Sequence, residues 1–432
     1  MSTPARTRRG AYLCALFLPL HIPAQETAPA APASDTVATE EAYVLSPEEA
    51  RALGLDSAAQ VAERSGPILD IEIRGVDPLA HPFLLHLLPV RTGQILSRSE
   101  LDERLAAFNR RIRGRTDLFE ACVAMAQPRA DGWRILVEAR SRTFGSYGGG
   151  NAYGYLGNHN RTGRGDRWGA WLGPNQLGLQ ADAVLAPGTN LGASAVLESP
   201  AETSAPDRGL RHLRLAATTR HFASPTLSFE AQAGVWLVQA RASRLPGPMP
   251  TVLFLRPAME SDQSWAREEA GIGAVLRGEA TLGQDLSNSR PFAGLTLHAQ
   301  ARSLTFRRMS LVALGEAGLV LERPAFHPAL SGAFGSWRAQ ASDPALDRTI
   351  TAVLQPRLSL WNRPLWFTGL DLGILGHLEA YRCHGAWLHE GIVHGAGLHL
   401  GFRPPVGVDF LLVTAWEGPR FLGTRFTTLH EF

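Results

Sequence analysis

From Thr143 to the end of the chain, about 290 residues, apolar and polar positions alternate in short runs. This period of two marks strands whose two faces meet different surroundings. Leu227, Phe229, Ala231, Ala233, Val235 and Leu237 alternate with Ser228, Glu230 and Gln232. Leu213, Leu215 and Ala217 alternate with His212, Arg214 and Thr218, and Val406, Val408, Phe410 and Leu412 with Gly407 and Asp409. At roughly 18 residues per strand plus connection, with spans of about 9–11 residues, the region holds about 16 strands. Counting back from Phe432 predicts strands near 421–432, 406–416, 392–401, 366–381 and 350–360, with short turns at Trp361 to Pro364 and Arg403 to Pro405. In water such strands make a sandwich or a soluble barrel. In an outer membrane they close into a barrel with apolar side chains outward and polar ones within.

The pattern upstream is different. Leu69, Ile71 and Ile73 alternate with Asp70 and Glu72, a half-buried strand that stops at Gly75. A short helix is predicted from Pro82 to Leu88. Ser97 and Glu100 make a capping box for a second helix, whose Leu101, Leu105, Phe108 and Ile112 share one face and which Gly114 ends. Two strands follow, one with Phe119, Ala121, Val123 and Met125 inward, the other with Trp133, Ile135 and Val137 inward. The predicted order is strand, helix, helix, strand, strand over residues 68–141.

The chain opens on Arg6, Arg8 and Arg9, an apolar stretch from Ala11 to Leu20 and a cleavage point after Ala24, which reads as a secretory signal over residues 1–24. Residues 25–67 read as a linker, with a helix started by Ser46 and Pro47 and running to about Glu63. Beyond the signal no run of about 18 apolar residues occurs, which excludes a helical membrane protein.

Composition adds little. Of 432 residues, 45% are apolar and 19% charged, 43 are glycine, and the net charge is +2. That suits strands and turns and gives no nucleic-acid signal. All 42 basic residues are arginine, a mark of a GC-rich coding sequence. Cys122 and Cys383 lie in different predicted domains and read as unpaired thiols. No Gly-x-Ser-x-Gly elbow is present. His384, His389, His394 and His399 cluster in sequence, but strand spacing spreads them over two faces, so no metal site is expected.

These residues resemble a known family. Residues 68–141 resemble a polypeptide-transport-associated (POTRA) domain: the first strand ends in glycine, Gly93 precedes the second helix, and Leu118-Phe119 opens the second strand. The rest resembles the barrel of the BamA-like superfamily of outer-membrane assembly and secretion proteins. Asn160-Arg161-Thr162-Gly163-Arg164-Gly165 looks like the family's Asn-x-x-Gly-x-Gly hairpin between the first two barrel strands. Gly369-Leu370-Asp371-Leu372-Gly373 resembles its Gly-x-Asp-x-Gly on the thirteenth strand, and Gly395-Ala396-Gly397 fits the fourteenth. Phe426 and Phe432 fit the C-terminal signal. The sixth-loop Val-Arg-Gly-aromatic motif is represented only by Trp337-Arg338-Ala339-Gln340.

The resemblance implies a mainly β fold: a transmembrane antiparallel barrel of about 16 strands behind one small α/β POTRA domain. It implies location in the outer membrane of a Gram-negative envelope with the POTRA domain in the periplasm. It implies insertion or translocation of polypeptides without catalytic residues, metal or cofactor. The implied partners are outer-membrane lipid, unfolded or secreted polypeptide clients and periplasmic accessory proteins. Clients would add to the edge strand at Phe119, Glu120, Ala121, Cys122 and Val123, and Arg338 would pair with Asp371 in the lumen. A passive channel, with the activity lost, is the alternative that the altered loop motif leaves open, and an outer-membrane enzyme is a third reading.

Overall fold

The computed structural model describes residues 64–430 apart from 116–117, 142–145, 150–153, 161, 173–175, 199–209, 241–250, 288, 305, 322–347, 365–368, 385–387 and 403–407. The expected signal peptide, linker and helix near 47–63 lie outside the described residues, as do Arg338 and Phe432.

The N-terminal α/β unit is built from β1 (Ser65–Arg74), α1 (His81–Leu87), β2 (Ile95–Ser97), α2 (Arg98–Arg113), β3 (Phe119–Arg129) and β4 (Gly132–Ser141). Its sheet has the order β2-β1-β4-β3, with β1 parallel to β4 and the other pairs antiparallel. β3 is therefore an edge. The capping box of α2 forms as expected: Ser97 Oγ accepts from Glu100 N–H and the Glu100 carboxylate from Ser97 N–H. Leu101, Leu105, Phe108 and Ile112 all face the core. A three-residue strand, β2, adds to the predicted order.

Two inward faces differ from expectation, and each has the same cause. In β1 the register slips between Ile68 and Asp70, leaving Leu69 as an extra residue, so Ile68 is buried and Leu69 exposed. In β3 the slip falls between Phe119 and Ala121, with Glu120 extra. Phe119, Cys122, Ala124 and Ala126 then face the core, while Ala121 and Val123 are exposed. A β-bulge inserts one residue and exchanges the faces beyond it.

The second sheet has sixteen strands in sequence order. They are β5 (Ser146–Gly149), β6 (Gly154–His159), β7 (Arg167–Leu172), β8 (Gln176–Ala186), β9 (Thr189–Glu198), β10 (Leu210–Ser224), β11 (Leu227–Ala240) and β12 (Thr251–Gln263). A five-residue helix, α3 (Ala266–Ala270), precedes β13 (Ile272–Asp285), β14 (Arg290–Ser303), β15 (Met309–Leu321) and β16 (Arg348–Pro364). The last four are β17 (Gly369–His384), β18 (Leu388–Phe402), β19 (Val408–Glu417) and β20 (Arg420–His430). The expected turn at Trp361 to Pro364 is instead the end of β16, and the one expected at Arg403 to Pro405 lies outside the described residues. The first three strands are much shorter than the rest.

Every neighbouring pair is antiparallel, and β5 comes to lie beside β20, although no ladder joins those two among the described residues. Alternation is as the sequence predicts. On β11, Phe229 and Leu237 are exposed outward while Ser228 and Glu230 are buried inward. On β17, Ile374 and Leu378 point out, and His377 and Glu379 in. Outward apolar and inward polar is the reverse of a soluble core, and is what a barrel in lipid requires. One stretch departs from it: Val312, Val353, Leu375, Val393, Leu411 and Val413 form an inward apolar patch across β15 to β19. Among the described residues, no helix is long and apolar enough to cross a membrane.

Candidate functional site

Three places gather the residues that sequence singled out. The first is the joint between the α/β unit and one rim of the barrel. The hairpin Asn160 to Gly165 lies here, between the second and third barrel strands and not the first two. β5 is only four residues long and glycine-rich, so it gives no alternation to count. Asn160 holds a positive φ of 57°, and Gly163 and Gly165 both hold 76°. The Asn160 side-chain amide donates to Leu118 carbonyl and its oxygen accepts from Gly165 N–H. The glycines have a second reason to be glycine. A Cβ at Gly165 would sit 2.9 Å from Phe222 and 3.0 Å from Phe83, and one at Gly163 would sit 2.9 Å from Ala80.

Phe222, near the end of β10, is the centre of the joint. It is fully buried, belongs to the core of the α/β unit, and packs edge-on against Phe83 of α1 at 5.4 Å. His86 Nε2 lies 2.6 Å from its carbonyl. Around it, Arg115 donates to Pro225 carbonyl at 3.2 Å and pairs with Asp262 at 3.3 Å, with both side chains nearly buried. Ser264 Oγ donates to Gly114 carbonyl at 2.9 Å. A Cβ at Gly188, in the turn after β8, would strike the His86 ring, so the turns after β6, β8, β10 and β12 all seat on the α/β unit. Sequence reasoning missed Phe222 and Arg115, since one more aromatic and one more arginine carry no signal when their partners are over a hundred residues away.

The second place is the edge strand. Of the five positions named for it, Phe119 and Cys122 are core residues and Glu120, Ala121 and Val123 are exposed on the opposite face. Cys122 is a free thiol, pushed up to about 12 by burial. Glu120 pairs only distantly with Arg140, at 3.9 Å.

The third place is the lumen. Asp371 faces inward on β17, the thirteenth barrel strand, and accepts a hydrogen bond from Ser359 Oγ on β16. Gly373, two residues on, leaves room for the His399 ring from β18, which a Cβ would strike. Gly369 opens the strand. Whether Arg338 reaches Asp371 lies outside the described residues. On the opposite wall a ladder of charges runs from β7 to β13. Arg167 pairs with Asp182 at 2.9 Å and Glu230 at 3.3 Å, Arg277 with Glu279 at 3.4 Å and Glu260 at 3.5 Å, and Arg256 with Glu279 at 3.1 Å. Phe426 points outward from β20 and stacks on Phe410 at 5.9 Å. His394 points out and His399 in, and no group of three metal-ligating side chains occurs among the described residues.

No protein-family model matches the chain, and no curated protein matches it in sequence. Solved structures do match. CdiB from Escherichia coli is 13% identical with a TM-score of 0.51, over 84% of this chain and 76% of that one. CdiB from Acinetobacter baumannii is 11% identical with a TM-score of 0.47, over 84% and 74%. BamA from Haemophilus ducreyi lacking POTRA domains 1–3 is 11% identical with a TM-score of 0.45, over 84% and 85%. At such identities the likeness is one of fold, and the fold shared with CdiB from Escherichia coli is an antiparallel barrel behind a small α/β unit.

Proposed function

We propose that this chain is a bacterial outer-membrane protein that inserts polypeptides into that membrane or moves them across it, with the α/β unit acting as a periplasmic POTRA domain. The observation that carries this reading is the placement of an edge strand, β3, on a domain fixed to one rim of the barrel through the turns after β6, β10 and β12. An edge strand can take up an extended chain through backbone hydrogen bonds with little demand on its sequence. Among the described residues no ladder joins β5 to β20, and a pair of strands with fewer hydrogen bonds costs less to part. The reading needs no catalytic residue, metal or cofactor. Its partners are outer-membrane lipid, unfolded or secreted polypeptides and accessory proteins of the periplasm.

The test is assembly in liposomes. A urea-unfolded eight-stranded outer-membrane barrel, diluted into vesicles carrying this protein, is expected to reach its protease-resistant folded form several-fold faster than in empty vesicles. Equal rates overturn the reading. The passive-channel alternative rests on the sixth-loop segment around Arg338, which departs from the family motif. Single-channel conductance separates the two. A mostly closed wild type, with Asp371→Ala and Arg338→Ala raising conductance alike, fits a loop tied into the lumen by that pair. A steady open pore indifferent to both favours the channel.

A further inference from the structure

The free side of β3 is not fully free. Asn109, on α2, donates from its side-chain nitrogen to the Ala124 carbonyl at 2.8 Å and accepts from the Ala124 N–H at 2.7 Å. An N–H given to Asn109 is not given to β4. In an antiparallel pair the N–H and C=O of one residue point the same way, so both Ala124 groups face the open edge. Pro128 agrees with this parity. It lies four residues on, opposite Trp133, and a proline within a sheet is accommodated where its missing N–H would face outward. The residues of β3 whose backbone faces the edge are then Cys122, Ala124, Ala126 and Pro128. Of these, Ala124 is occupied by Asn109 and Pro128 has no donor. Upstream, the Leu118 carbonyl is taken by Asn160 and the Phe119 N–H by the Arg115 carbonyl.

A side-chain amide offers the same donor and acceptor as a peptide unit. Bound to both groups of one residue, Asn109 stands where the backbone of an added strand would stand. We propose that Asn109 is a resident stand-in for an incoming strand. It closes the β3 edge at Ala124, and an extended polypeptide pairs along Cys122 to Ala126 only when Asn109 is displaced. The inference rests on the capture role proposed above and adds a gate to it. Edge strands left long and open pair with other chains indiscriminately, and a polar side chain over the middle is one way to prevent this. The Asn109 cap would hold the edge closed against weak encounters and yield to a strand that can make several bonds at once.

The experiment uses the full chain in detergent micelles and, as probe, a fluorescein-labelled peptide of the protein's own last strand, Arg420 to His430. Fluorescence anisotropy is expected to show Asn109→Ala binding the peptide at least about tenfold more tightly than wild type, since two competing hydrogen bonds are gone. Adding Ala124→Pro, which removes the edge donor as Pro128 does, is expected to cancel the gain. Asn109→Asp preserves the shape of the side chain and its acceptor but loses the donor, and is expected to fall between. Hydrogen exchange at single-amide resolution gives a second readout. In wild type the Ala124 amide is expected to exchange slowly beside fast Cys122 and Ala126, and all three to be fast in Asn109→Ala. Ala124 exchanging as fast as its neighbours in wild type overturns the cap. A slow Ala124 with equal peptide affinity in wild type and Asn109→Ala overturns the gate. Absence of peptide binding by either protein overturns β3 as a capture edge, while the liposome assay judges the assembly role separately.

Discussion

At the scale of single residues, the joint is where the structure adds most to the sequence. Phe222 is a barrel residue that completes the core of another domain, so its removal should be felt by that domain. Phe222→Ala is expected to cost about 3–5 kcal/mol, the range for emptying an aromatic site in a packed core. It should appear as a lower unfolding temperature of the α/β unit with the barrel transition unchanged. Arg115→Ala leaves Asp262 without its guanidinium partner in a nearly dry setting, an effect of about 3–5 kcal/mol when such a pair is broken on one side. Gly165→Ala asks an L-residue to hold φ 76° and to enter the space of two phenyl rings, and should loosen the joint as judged by proteolysis. Cys122 gives a pH test. Its buried thiol is held neutral up to about 12, whereas an unfolded cysteine ionises near pH 8.5. The folded-state value is the higher one, so the contribution to stability is whole below about pH 8.5 and declines as pH rises toward 12. Native protein at pH 8.5 is expected to resist iodoacetamide at Cys122, and unfolded protein to react.

At the scale of elements, what could be read in advance depended on whether a pattern was periodic. The alternation of β11 and the capping box of α2 are local and regular, and both formed as expected. Strands near the C-terminus were placed within a few residues because their connections are short. The faces of β3 differ from the predicted ones because a period of two cannot register one extra residue, and Glu120 is that residue. β2 escaped notice because three residues make no period. The hairpin at Asn160 to Gly165 is recognisable by its glycines, but the four-residue β5 before it carries no period, so it falls one strand later than the sequence predicts. The lumen ladder was invisible, since Arg167 and Glu230 are brought together only by curvature of the sheet across five strands. That ladder should matter more than surface pairs of similar length. Glu230→Ala, which strips a buried network, is expected to lower thermal stability in detergent by several degrees. Glu390→Ala, which removes an exposed partner of Arg382 at 3.4 Å, should leave it within about 1 kcal/mol of wild type.

At the scale of the whole molecule, the two domains share a core and several turns, so they are not beads on a string. Four residues separate the end of β4 at Ser141 from the start of β5 at Ser146, and β5 is the shortest barrel strand among the described residues. Contacts to the α/β unit begin one turn later, after β6, and continue to the turn after β12. A pull on the α/β unit is therefore delivered to one half of the wall and, along the chain, to β5. In mechanical terms the domain is a short lever whose fulcrum is Phe222 and whose load is β5.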